Sequence, residues 1–595
     1  MKFAFKPIAI AAALAFIGTA AVASPMKPGT YTAKVNGHNA PLTVEVTVDA
    51  NKILSIKTPD DQESLGVGKV GLKKTADNIL RYQSIGVDAV TGATFSSNAL
   101  KEGVEKCLKQ AGADMKQFTR KAEKHPIHNR TYQADVVVIG GGGAGLASAI
   151  SSMQAGAKKV IVLEKLGYVG GSTNVSEGAL NAVDDQRQKA QGIKDSYETF
   201  YETTMHGGHD KGDPTLVRFL TSHSMDAVNW LESLGVKFND HIGAATGSLG
   251  QRSHYPATPY GNTYIRTFEK VIADSNGKIQ VLLDTPAVKL IQNKSGRVVG
   301  VVGNNFGSKV TVMAKDGVII ATGGFGANVA YRQKVNTGVW KNIKLDNSIG
   351  CTNIQKAAQG QGLFLAQKVG AKLIGLSDIQ IHPCGTPGTG LMENIRTSGR
   401  NRIFVSSDGN RFVNEGAARD VLANAIFQQK GRTYWIVVNK LRYPTPDFKD
   451  RMGASIRNME ALGAVVEAPT LDELAKKTGM NAENLKKAIA DYNAVVSGKA
   501  KDKLGFVANN KDDKQMTEGP WYACRKVPTV HHTMGGIKIN VKSQVINTKG
   551  KVIPGLYAVG EVTGGIHGSN RLGGNAIADI MTFGHAVGPH IVQGK

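Results

Sequence analysis

The stretch ADVVVIGGGGAG, residues 134–145, is the most informative part of this sequence about its fold. Its first half is an apolar run typical of a buried parallel strand, and its second half has the spacing G-x-G-x-x-G, which allows a tight turn beside a pyrophosphate. A second apolar run at 160–163 ends at Glu164, 24 residues after Gly140, where a carboxylate can accept hydrogen bonds from a ribose. This order predicts a Rossmann-type α/β domain. The residues predicted to bind its dinucleotide are Gly140, Gly142, Ala144, Gly145 and Glu164.

Two later glycine turns indicate that the dinucleotide is FAD rather than NAD. ATGGF at 321–325 follows an apolar strand, and GLYAVGE at 555–561 is another strand with a glycine turn. Both match the additional FAD motifs of flavoproteins, in which Glu561 is expected near ribityl or ribose hydroxyls. The further residues predicted to bind FAD are Ser172, Thr173, Asn174, Gly323, Gly324, Glu561, Asn575, Ala576 and Ile577.

The chain has 595 residues, too many for one compact core, so about two to four domains are expected. The N-terminal text alternates in strand fashion, and a polar, basic linker then leads into a βαβ pattern. The predicted fold class is α/β: a Rossmann-type FAD-binding domain with an inserted α+β capping domain, preceded by a small α+β domain. The predicted boundaries are 1–23 for a signal peptide, 29–115 for the small domain, 116–131 for the linker, 132–379 and 528–595 for the two parts of the FAD-binding domain, and 380–527 for the capping domain.

The first residues have the pattern of a secretory signal. Lys2 and Lys6 precede an apolar run at 8–17, and 21–23 is a small-residue cleavage site. We therefore expect a periplasmic protein whose mature chain does not span the membrane. The formal net charge is +24; for an exported protein this favours an acidic redox partner, anionic substrates or general solubility over nucleic acid. The four cysteines form neither a CxxC pair nor a CxxCH haem motif, so no metal is predicted and electrons must come from another protein.

The heptapeptide DAVTGAT, residues 88–94, indicates a second flavin. Its glycine and alanine leave room for a bulky group, and the N-terminus of an amphipathic helix starting near Ser97 favours a phosphate. The segment resembles the D-x-x-[ST]-G-A-[ST] motif of FMN-binding domains in electron-transfer flavoproteins, whose last hydroxyl carries FMN through a phosphoester. The resemblance implies that 29–115 is an FMN-binding domain and that Thr94 holds FMN covalently.

The C-terminal text resembles the soluble fumarate reductase family, which includes flavocytochrome c fumarate reductases, urocanate reductase and methacrylate reductase. HHTMGG at 531–536 and GGIHGSNRLGGNA at 564–576 carry the resemblance, which extends over nearly the whole predicted mature chain. It implies a capping domain that closes over the substrate, hydride transfer from FAD to one alkene carbon and proton transfer from an arginine to the other. Membrane-bound fumarate reductases attach FAD to a histidine after the second strand; GGSTN at 170–174 has none, so we expect non-covalent FAD.

The resemblance also implies which residues carry the proton. RFVNE at 411–415, followed by Arg419, matches the context of the family's proton-donating arginine. Such an arginine stays charged until carbanion character develops on the substrate, so it also stabilises that negative charge. ENIR at 393–396 keeps the family spacing E-x-x-R, which fits one helical face, and Glu393 and Arg396 are therefore the predicted proton relay.

Arg571 and His531 match the family pair that holds a substrate carboxylate, since arginine can grip a carboxylate bidentately. His382 matches the histidine that meets the far carboxylate of fumarate. However, Met392 stands where fumarate-specific members have threonine, and urocanate reductase has tyrosine in place of His382. The expected substrate is a small α,β-unsaturated carboxylate: fumarate or a related enoate, with urocanate, methacrylate, acrylate and aryl-acrylates as alternatives.

Two other function classes compete with this interpretation. A ketosteroid-type flavin dehydrogenase would lack the pair Arg419 and Arg571, because its substrate has no carboxylate. A periplasmic FMN electron-transfer protein with a vestigial FAD domain would not need complete FAD and arginine motifs. The expected electron donor is a c-type cytochrome or a membrane quinol-linked protein that serves anaerobic respiration. Its candidate docking residues are Lys106, Lys109, Lys116, Arg120, Lys121 and Lys124.

Overall fold

The computed structural model describes residues 25–121, 125–258, 261–450, 452–508 and 513–594. The predicted signal peptide at 1–23 lies outside these residues. No helix in the described ranges is long and apolar enough to cross a bilayer. The predicted α/β class is confirmed, because a sheet with a parallel core carries helices on its faces and two further units contain antiparallel sheets.

The N-terminal unit is a three-stranded antiparallel sheet packed against helices. Its elements are β1 (Gly29–Asn36), β2 (Pro41–Val48), β3 (Ile53–Lys57), α1 (Gly68–Tyr82), α2 (Thr94–Gln110) and α3 (Met115–Phe118). Every second residue of β2 is buried, as expected for a strand with one face on a core, and a Cβ at Gly103 of α2 would collide with Val44. Helix α2 begins three residues before its predicted start at Ser97, and α1 had no counterpart in the sequence prediction.

The first part of the large domain begins with the quoted stretch, which forms β4, the glycine turn and the start of α4. Its elements are β4 (Arg130–Ile139), α4 (Gly143–Gln154), β5 (Val160–Leu163), the 3-10 turn Gly171–Val175, β6 (Leu180–Asn181), α5 (Asp185–Ala190), α6 (Tyr197–Gly207), α7 (Pro214–Ser233), β7 (Ser253–His254), α8 (Asn262–Ala273), β8 (Ile279–Leu282), β9 (Ala287–Gln292), β10 (Val298–Asn305), β11 (Ser308–Ile320), α9 (Val329–Lys334), α10 (Gln361–Lys368) and β12 (Leu373–Ile374).

A second unit interrupts this domain. Its elements are β13 (Ile379–Gly385), β14 (Ile403–Val405), α11 (Arg419–Phe427), the 3-10 turn Lys430–Arg432, β15 (Tyr434–Asn439), α12 (Ile456–Ala461), β16 (Val466–Ala468), α13 (Leu471–Thr478), α14 (Ala482–Val496) and β17 (Trp521–Thr533). Strand β17 pairs with β13, β15 and β16, so it forms the centre of a five-stranded sheet. This strand runs across residue 527, where the sequence analysis set the end of the capping domain, so one continuous strand connects the capping sheet to the FAD-binding domain.

The chain then returns to the large domain through β18 (Gly536–Lys538), β19 (Gln544–Ile546), β20 (Val552–Ala558), the 3-10 turn Gly560–Val562, β21 (Thr563–Gly564) and α15 (Asn575–Gln593). The completed sheet has the order β19-β20-β11-β4-β5-β8, and the pairs from β20 to β8 are all parallel. Side chains at 136–138 are fully buried, as expected for a parallel strand covered on both faces. The N-terminus of α4 and the carboxyl ends of β11 and β20 therefore meet at one edge of the sheet.

The N-terminal unit packs directly on the large domain. Tyr168 Oη donates a hydrogen bond to Gly92 O at 3.1 Å, and Lys74 Nζ donates to Gly167 O. Val90 packs against Leu166 in a shared apolar cluster. The turn that carries Thr94 is thus fixed against the large domain.

Candidate active site

The glycine turn between β4 and α4 has the geometry that a pyrophosphate requires. Gly140 adopts a φ of +107°, and a Cβ at Gly145 would collide with the carbonyl oxygen of Gly140. A Cβ at Gly142 would meet nothing within 4 Å, so the turn is open beside the first turn of α4, which contains Ala144. Gly142 caps α4 without a side-chain hydrogen bond, which leaves the N-terminal N–H groups to an anion. These residues fit the diphosphate of FAD.

Glu164 is fixed at the end of β5 by the backbone. Its Oε2 accepts from Gly141 N at 2.6 Å, and its Oε1 accepts from Leu166 N at 2.7 Å. Burial raises the pKa of Glu164, against the lowering effect of these two hydrogen bonds. A carboxylate held in this way presents its remaining lone pairs to a ribose. It lines a cavity of about 130 Å³ together with Gly140, Gly142, Ala144, Gly323 and Gly324.

Glu561 stands between this small cavity and a larger one, since it lines both. Its Oε1 accepts from Thr533 N at 3.0 Å, and its Oε2 accepts from Asn353 Nδ2 at 3.4 Å. Burial raises the pKa of Glu561 to about 7, although both hydrogen bonds lower it. A carboxyl group held at this junction can donate to or accept from flavin-side hydroxyls, and this role of Glu561 stays a prediction.

The side-chain amides of Asn174 and Asn575 are engaged within the protein. Asn174 Nδ2 donates to Val169 O at 2.8 Å, and Asn575 Oδ1 accepts from Asn181 Nδ2 at 2.8 Å. Asn575, the first residue of α15, therefore lies behind the residues that line the cavity and does not line it itself. The predicted residues of these two segments that line the larger cavity are Ser172, Thr173, Asn174, Ala576 and Ile577.

The larger cavity, of about 1170 Å³, joins the Thr94 turn to the predicted substrate site. Thr94 is exposed at the first position of α2, a helix with no side-chain cap and no acidic residue in its first turn. This helix end suits a phosphate. The same cavity is lined by His382, Arg419, His531 and Arg571. The structure thus brings the predicted FMN attachment point and the predicted substrate residues to one cavity.

Two buried arginines form the charged part of this cavity. Arg419 Nη1 donates to Gln380 Oε1 at 3.0 Å and its Nε donates to Thr246 O at 3.0 Å, whereas Arg571 Nη1 donates to Leu572 O at 3.1 Å. In the described ranges these partners are carbonyl and amide oxygens rather than carboxylates, and Arg571 Nε has no hydrogen-bond partner. Burial lowers the pKa of Arg419 to about 10, and burial together with the charge of Arg419 lowers the pKa of Arg571.

Two neutral histidines lie beside the arginines. His382 Nδ1 accepts a hydrogen bond from Cys384 N at 3.1 Å, which places the proton of the neutral ring on Nε2. His531 Nδ1 lies 2.6 Å from Thr352 Oγ1, and the two rings are 4.7 Å apart. Burial and the neighbouring Arg419 hold the pKa of both histidines well below the usual value. Both rings are therefore uncharged hydrogen-bonding groups, and the positive charge of the site comes from the arginines.

The prediction that Glu393 and Arg396 share a helical face is wrong. Residues 386–402 contain no helix, and Asn394 has a φ of +60°. Gly388 and Gly390 also adopt positive φ values, so the segment turns repeatedly and the three-residue spacing has no helical meaning. Both side chains nevertheless line the larger cavity.

The partners of the two relay residues lie on different parts of the chain. Glu393 Oε1 lies 2.9 Å from His38 Nε2 of the N-terminal unit, and Arg396 Nη1 lies 3.8 Å from Glu177 Oε1 of the large domain. The carbonyl oxygen of Glu393 also accepts from the ammonium of the fully buried Lys526. The relay segment is therefore held from three sides.

Gln380 is a site residue that the sequence analysis missed. Its amide accepts from Arg419 and donates to Arg571 O at 2.6 Å, so it fixes the two arginines relative to each other. Gln380 stands two residues before His382 on β13, and residues two apart on a strand share a face. That alternation is the pattern that could have identified it.

Comparison with known proteins agrees with these two flavin sites. The family described as FAD binding domain matches residues 135–577, and the family described as FMN-binding domain matches residues 37–109. The chain is 34% identical to the urocanate reductase of Eggerthella lenta over 94% of this chain and 91% of that protein. It is 38% identical to a fumarate reductase (cytochrome) of Shewanella frigidimarina over 76% of each chain.

Two further comparisons define the extent of the likeness. The NADH:acrylate oxidoreductase of Vibrio harveyi is 34% identical over 94% of this chain, which spans only 61% of that relative's length. The open conformation of a flavocytochrome c3 fumarate reductase superimposes with a TM-score of 0.63 at 34% identity and covers 78% of each chain. A 3-ketosteroid Δ1-dehydrogenase from Sterolibacterium denitrificans has a TM-score of 0.62 but 18% identity, so it shares the fold alone.

The glycine cradle, the Thr94 turn and the two matched domains define the class as a flavoprotein with an FAD-binding and an FMN-binding domain. Within that class, the chain belongs to the soluble fumarate reductase family of flavin-dependent oxidoreductases.

Proposed function

We propose that the protein saturates the C=C bond of a small α,β-unsaturated carboxylate in the periplasm, as a reductase of anaerobic respiration. One observation carries the proposal: Arg419 and Arg571 are buried in one cavity without a carboxylate among their hydrogen-bond partners in the described residues. Buried charges are costly unless they are paired. An anionic substrate supplies the missing negative charge, and a steroid would not.

Different groups bind the substrate and supply the electrons in such a reaction. Arg571 and His531 hold the substrate carboxylate, and this withdraws electron density from the conjugated alkene. His382 offers its Nε2–H to the far end of the substrate. Bound FAD would supply the hydride, and FMN on Thr94 would supply electrons to the site.

Arg419 is the proposed proton donor. Its pKa of about 10 is lower than that of a solvated guanidinium because the side chain is buried. A lowered pKa makes proton loss easier once carbanion character develops, while the charge still stabilises the transition state until transfer. Gln380 Oε1 and Thr246 O hold the guanidinium in one orientation, so the donor is fixed before the substrate binds.

The far end of the site decides which enoate is used. Met392 lines the cavity beside the relay residue Glu393, where a polar group would be needed for a second carboxylate. The relatives named above reduce different acids by name, so fumarate and urocanate, methacrylate, acrylate and aryl-acrylates are all proposed substrates. The apolar, adaptable methionine favours a substrate with a single carboxylate.

Electrons would come from a c-type cytochrome or a membrane quinol-linked protein that docks beside α2 and α3. Lys106 and Lys109 pair with Glu102 and Glu105 at 2.7 Å, so they contribute little net charge to a docking face. Lys124 lies outside the described residues. The exposed cations among the remaining candidate docking residues are Lys116, Arg120 and Lys121. Raising the ionic strength should slow electron delivery through this face, and an unchanged rate would remove it from the proposal.

A substrate panel tests the proposal as a whole. The protein loaded with both flavins is supplied with reduced viologen and offered fumarate, urocanate, methacrylate, acrylate, itaconate and cinnamate, and oxidation of the dye is followed. We expect turnover with at least one acid, and none with a matched amide that has no carboxylate. If no acid oxidises the dye, the protein is not an enoate reductase, and an FMN electron-transfer role becomes the better explanation.

A further inference from the structure

His38 belongs to the N-terminal unit, and its side chain contacts Glu393, a residue of the predicted proton relay in the inserted capping unit. Its Nε2 lies 2.9 Å from Glu393 Oε1, and its ring packs edge-on against Phe95 at a centroid distance of 5.6 Å. Phe95 directly follows Thr94, the predicted FMN attachment point. His38, Phe95, Thr94 and Glu393 all line the larger cavity.

The position of His38 is determined by a buried carboxylate rather than by a chance surface contact. Glu63 is 4% exposed, and its Oε1 accepts from His38 N at 2.7 Å and from Asn39 N at 3.0 Å. Its Oε2 accepts from the hydroxyl of Ser96 in the first turn of α2. A Cβ at Gly37 would collide with Glu63 Oε1, so the turn that carries His38 is tightly packed on this carboxylate. One side chain thus ties the His38 turn to the helix that begins at Thr94.

We propose that His38 transfers protons from solvent to Glu393, the first residue of the proton relay. Protons and electrons then reach the active site through the same N-terminal unit. This inference rests on the proposed function, because it presupposes that Glu393 reprotonates Arg419. His38 acts through Glu393 and does not contact the substrate, so it is a positioning and proton-supplying residue rather than a catalytic one.

The proton balance of this step is simple. When the Nε2–H bond of the His38 imidazolium breaks, an O–H bond forms on Glu393, and His38 becomes neutral. Glu393 then gives its proton to Arg396 as Arg396 gives one to Arg419, which replaces the proton that Arg419 has given to the substrate carbanion and leaves Glu393 ionised again. His38 is 29% exposed in its side chain, so solvent returns its proton and no further reactant is needed.

The groups that face His38 favour its charged form. Burial lowers the pKa of His38, but the carboxylate of Glu393 at 2.9 Å, the Asn39 side chain at 3.0 Å and the charge of Glu63 together raise it to about 9. The histidine is therefore protonated at neutral pH and can serve as a donor. Above about pH 9 it loses this proton, and the relay should slow.

The decisive experiment compares His38→Gln with His223→Gln. His223 is a matched control because its Nδ1 also lies 2.9 Å from a carboxylate, that of Asp226, but the pair is exposed on α7 and does not line the cavity. The enzyme with both flavins is reduced anaerobically, mixed with the enoate and excess reduced viologen, and followed through the first and later turnovers. The first turnover uses the proton already on Arg419, whereas later turnovers need the relay.

We expect His38→Gln to complete the first turnover at the wild-type rate and then to turn over about 10- to 100-fold more slowly, with an unchanged KM. This loss is smaller than the ~10²–10⁴ of a general acid that acts on the substrate itself. The fall in kcat above pH 9 should also disappear, and His223→Gln should behave as wild type. Equal slowing of the first and later turnovers would indicate a structural role, and wild-type rates throughout would equally overturn the proposal.

A second measurement does not depend on turnover. The histidine Cε1–H resonance that is missing from His38→Gln or His38→Ala is titrated by NMR in the wild type and in Glu393→Gln. We expect a pKa of about 9 in the wild type and a value at least one unit lower in Glu393→Gln, and equal values would reject the coupling. If no enoate is reduced at all, the proposed function fails, while this titration still decides whether the pair exists.

Discussion

Replacing Arg419 by glutamine tests the electrostatic feature on which the proposed chemistry depends. The guanidinium lies at the start of α11, is buried, and donates to Thr246 O and Gln380 Oε1. Glutamine is a good helix former and keeps an N–H donor, but it carries neither the positive charge nor a transferable proton. The substitution therefore removes the function of the residue and leaves a shorter polar side chain in its place.

The magnitude follows from two effects that the residue combines. A positioned general acid contributes about 10²–10⁴ in rate, and one fixed donor facing a developing negative charge contributes about 10²–10³. Because both act in the same transition state they are not fully additive, and we expect kcat to fall by at least about 10⁴, or about 5 kcal/mol. KM should change much less, since Arg571 and His531 hold the carboxylate.

Folding should survive the change. Thr246 O and Gln380 Oε1 lose the two donors of Arg419; the glutamine amide can replace one of them, and the acceptor left without a partner costs about 1–3 kcal/mol. In return, Arg571 loses a neighbouring positive charge that lowers its pKa, so part of the cost is offset. We expect the flavin spectrum of the variant to match that of the wild type.

The assay is dye oxidation under saturating enoate, together with the rate at which the enoate reoxidises the pre-reduced enzyme. Arg218→Gln is the control, because Arg218 is exposed on α7 and pairs only with exposed Glu198 among the described carboxylates. A kcat of Arg419→Gln within tenfold of wild type, with FAD retained, would refute the assignment of Arg419 as the proton donor. A loss confined to KM would instead make it a binding residue.

Three further predictions follow from other parts of the structure. Thr94→Ala should remove the covalent FMN mass from the intact protein, whereas Thr94→Ser, which keeps the hydroxyl, should retain it; an unmodified wild-type mass would refute the attachment. Gly145→Ala should destabilise the fold because its Cβ meets Gly140 O, whereas Gly142→Ala should leave the flavin-free protein stable and weaken FAD binding, and equal melting temperatures of the two flavin-free variants would contradict this. Burial raises the pKa of Glu561 to about 7 from 4.5, so its contribution to the free energy of unfolding is present below pH 4.5 and is lost as the pH rises through 7. The loss is up to about 3 kcal/mol. Thermal unfolding of the flavin-free protein at pH 4.5 and 7 should show this loss in the wild type and not in Glu561→Gln.

The parts of the fold that could be predicted from the sequence are those whose residues are contiguous. The strand, turn and helix of 134–145 form β4 and α4 because each local preference agrees with the next: an apolar run, glycines where positive φ or close packing is needed, and then alanine. The Thr94 turn was recognised in the same way, from seven consecutive residues. Helices α1 and α2 both lack a capping side chain and an acidic first turn, the local marks of a helix start, and α1 was missed because, unlike α2, it does not follow a recognised motif.

The relay segment shows the limit of this approach. The spacing of Glu393 and Arg396 suggested a helix, but Gly388, Gly390 and Asn394 turn the backbone with positive φ values, so spacing gave the identity of the residues and a wrong geometry. Sequence proximity fixes side-chain direction only where the backbone is regular.

The partner of Glu393 shows why the remainder of the site required the folded chain. His38 is separated from Glu393 by 355 residues, and no local pattern in KVNGHNA at 34–40 distinguishes it from a surface histidine in a turn. It becomes informative only when α1, α2 and the buried Glu63 place the turn against the relay segment. The same holds for Arg419 and Arg571, whose lack of a carboxylate hydrogen-bond partner among the described residues is a property of the cavity and not of either motif. Motifs identify the groups that do the chemistry, whereas the charges that set their pKa values come from distant parts of the chain; a pKa change of His38 in Glu393→Gln would therefore test the assembled site directly.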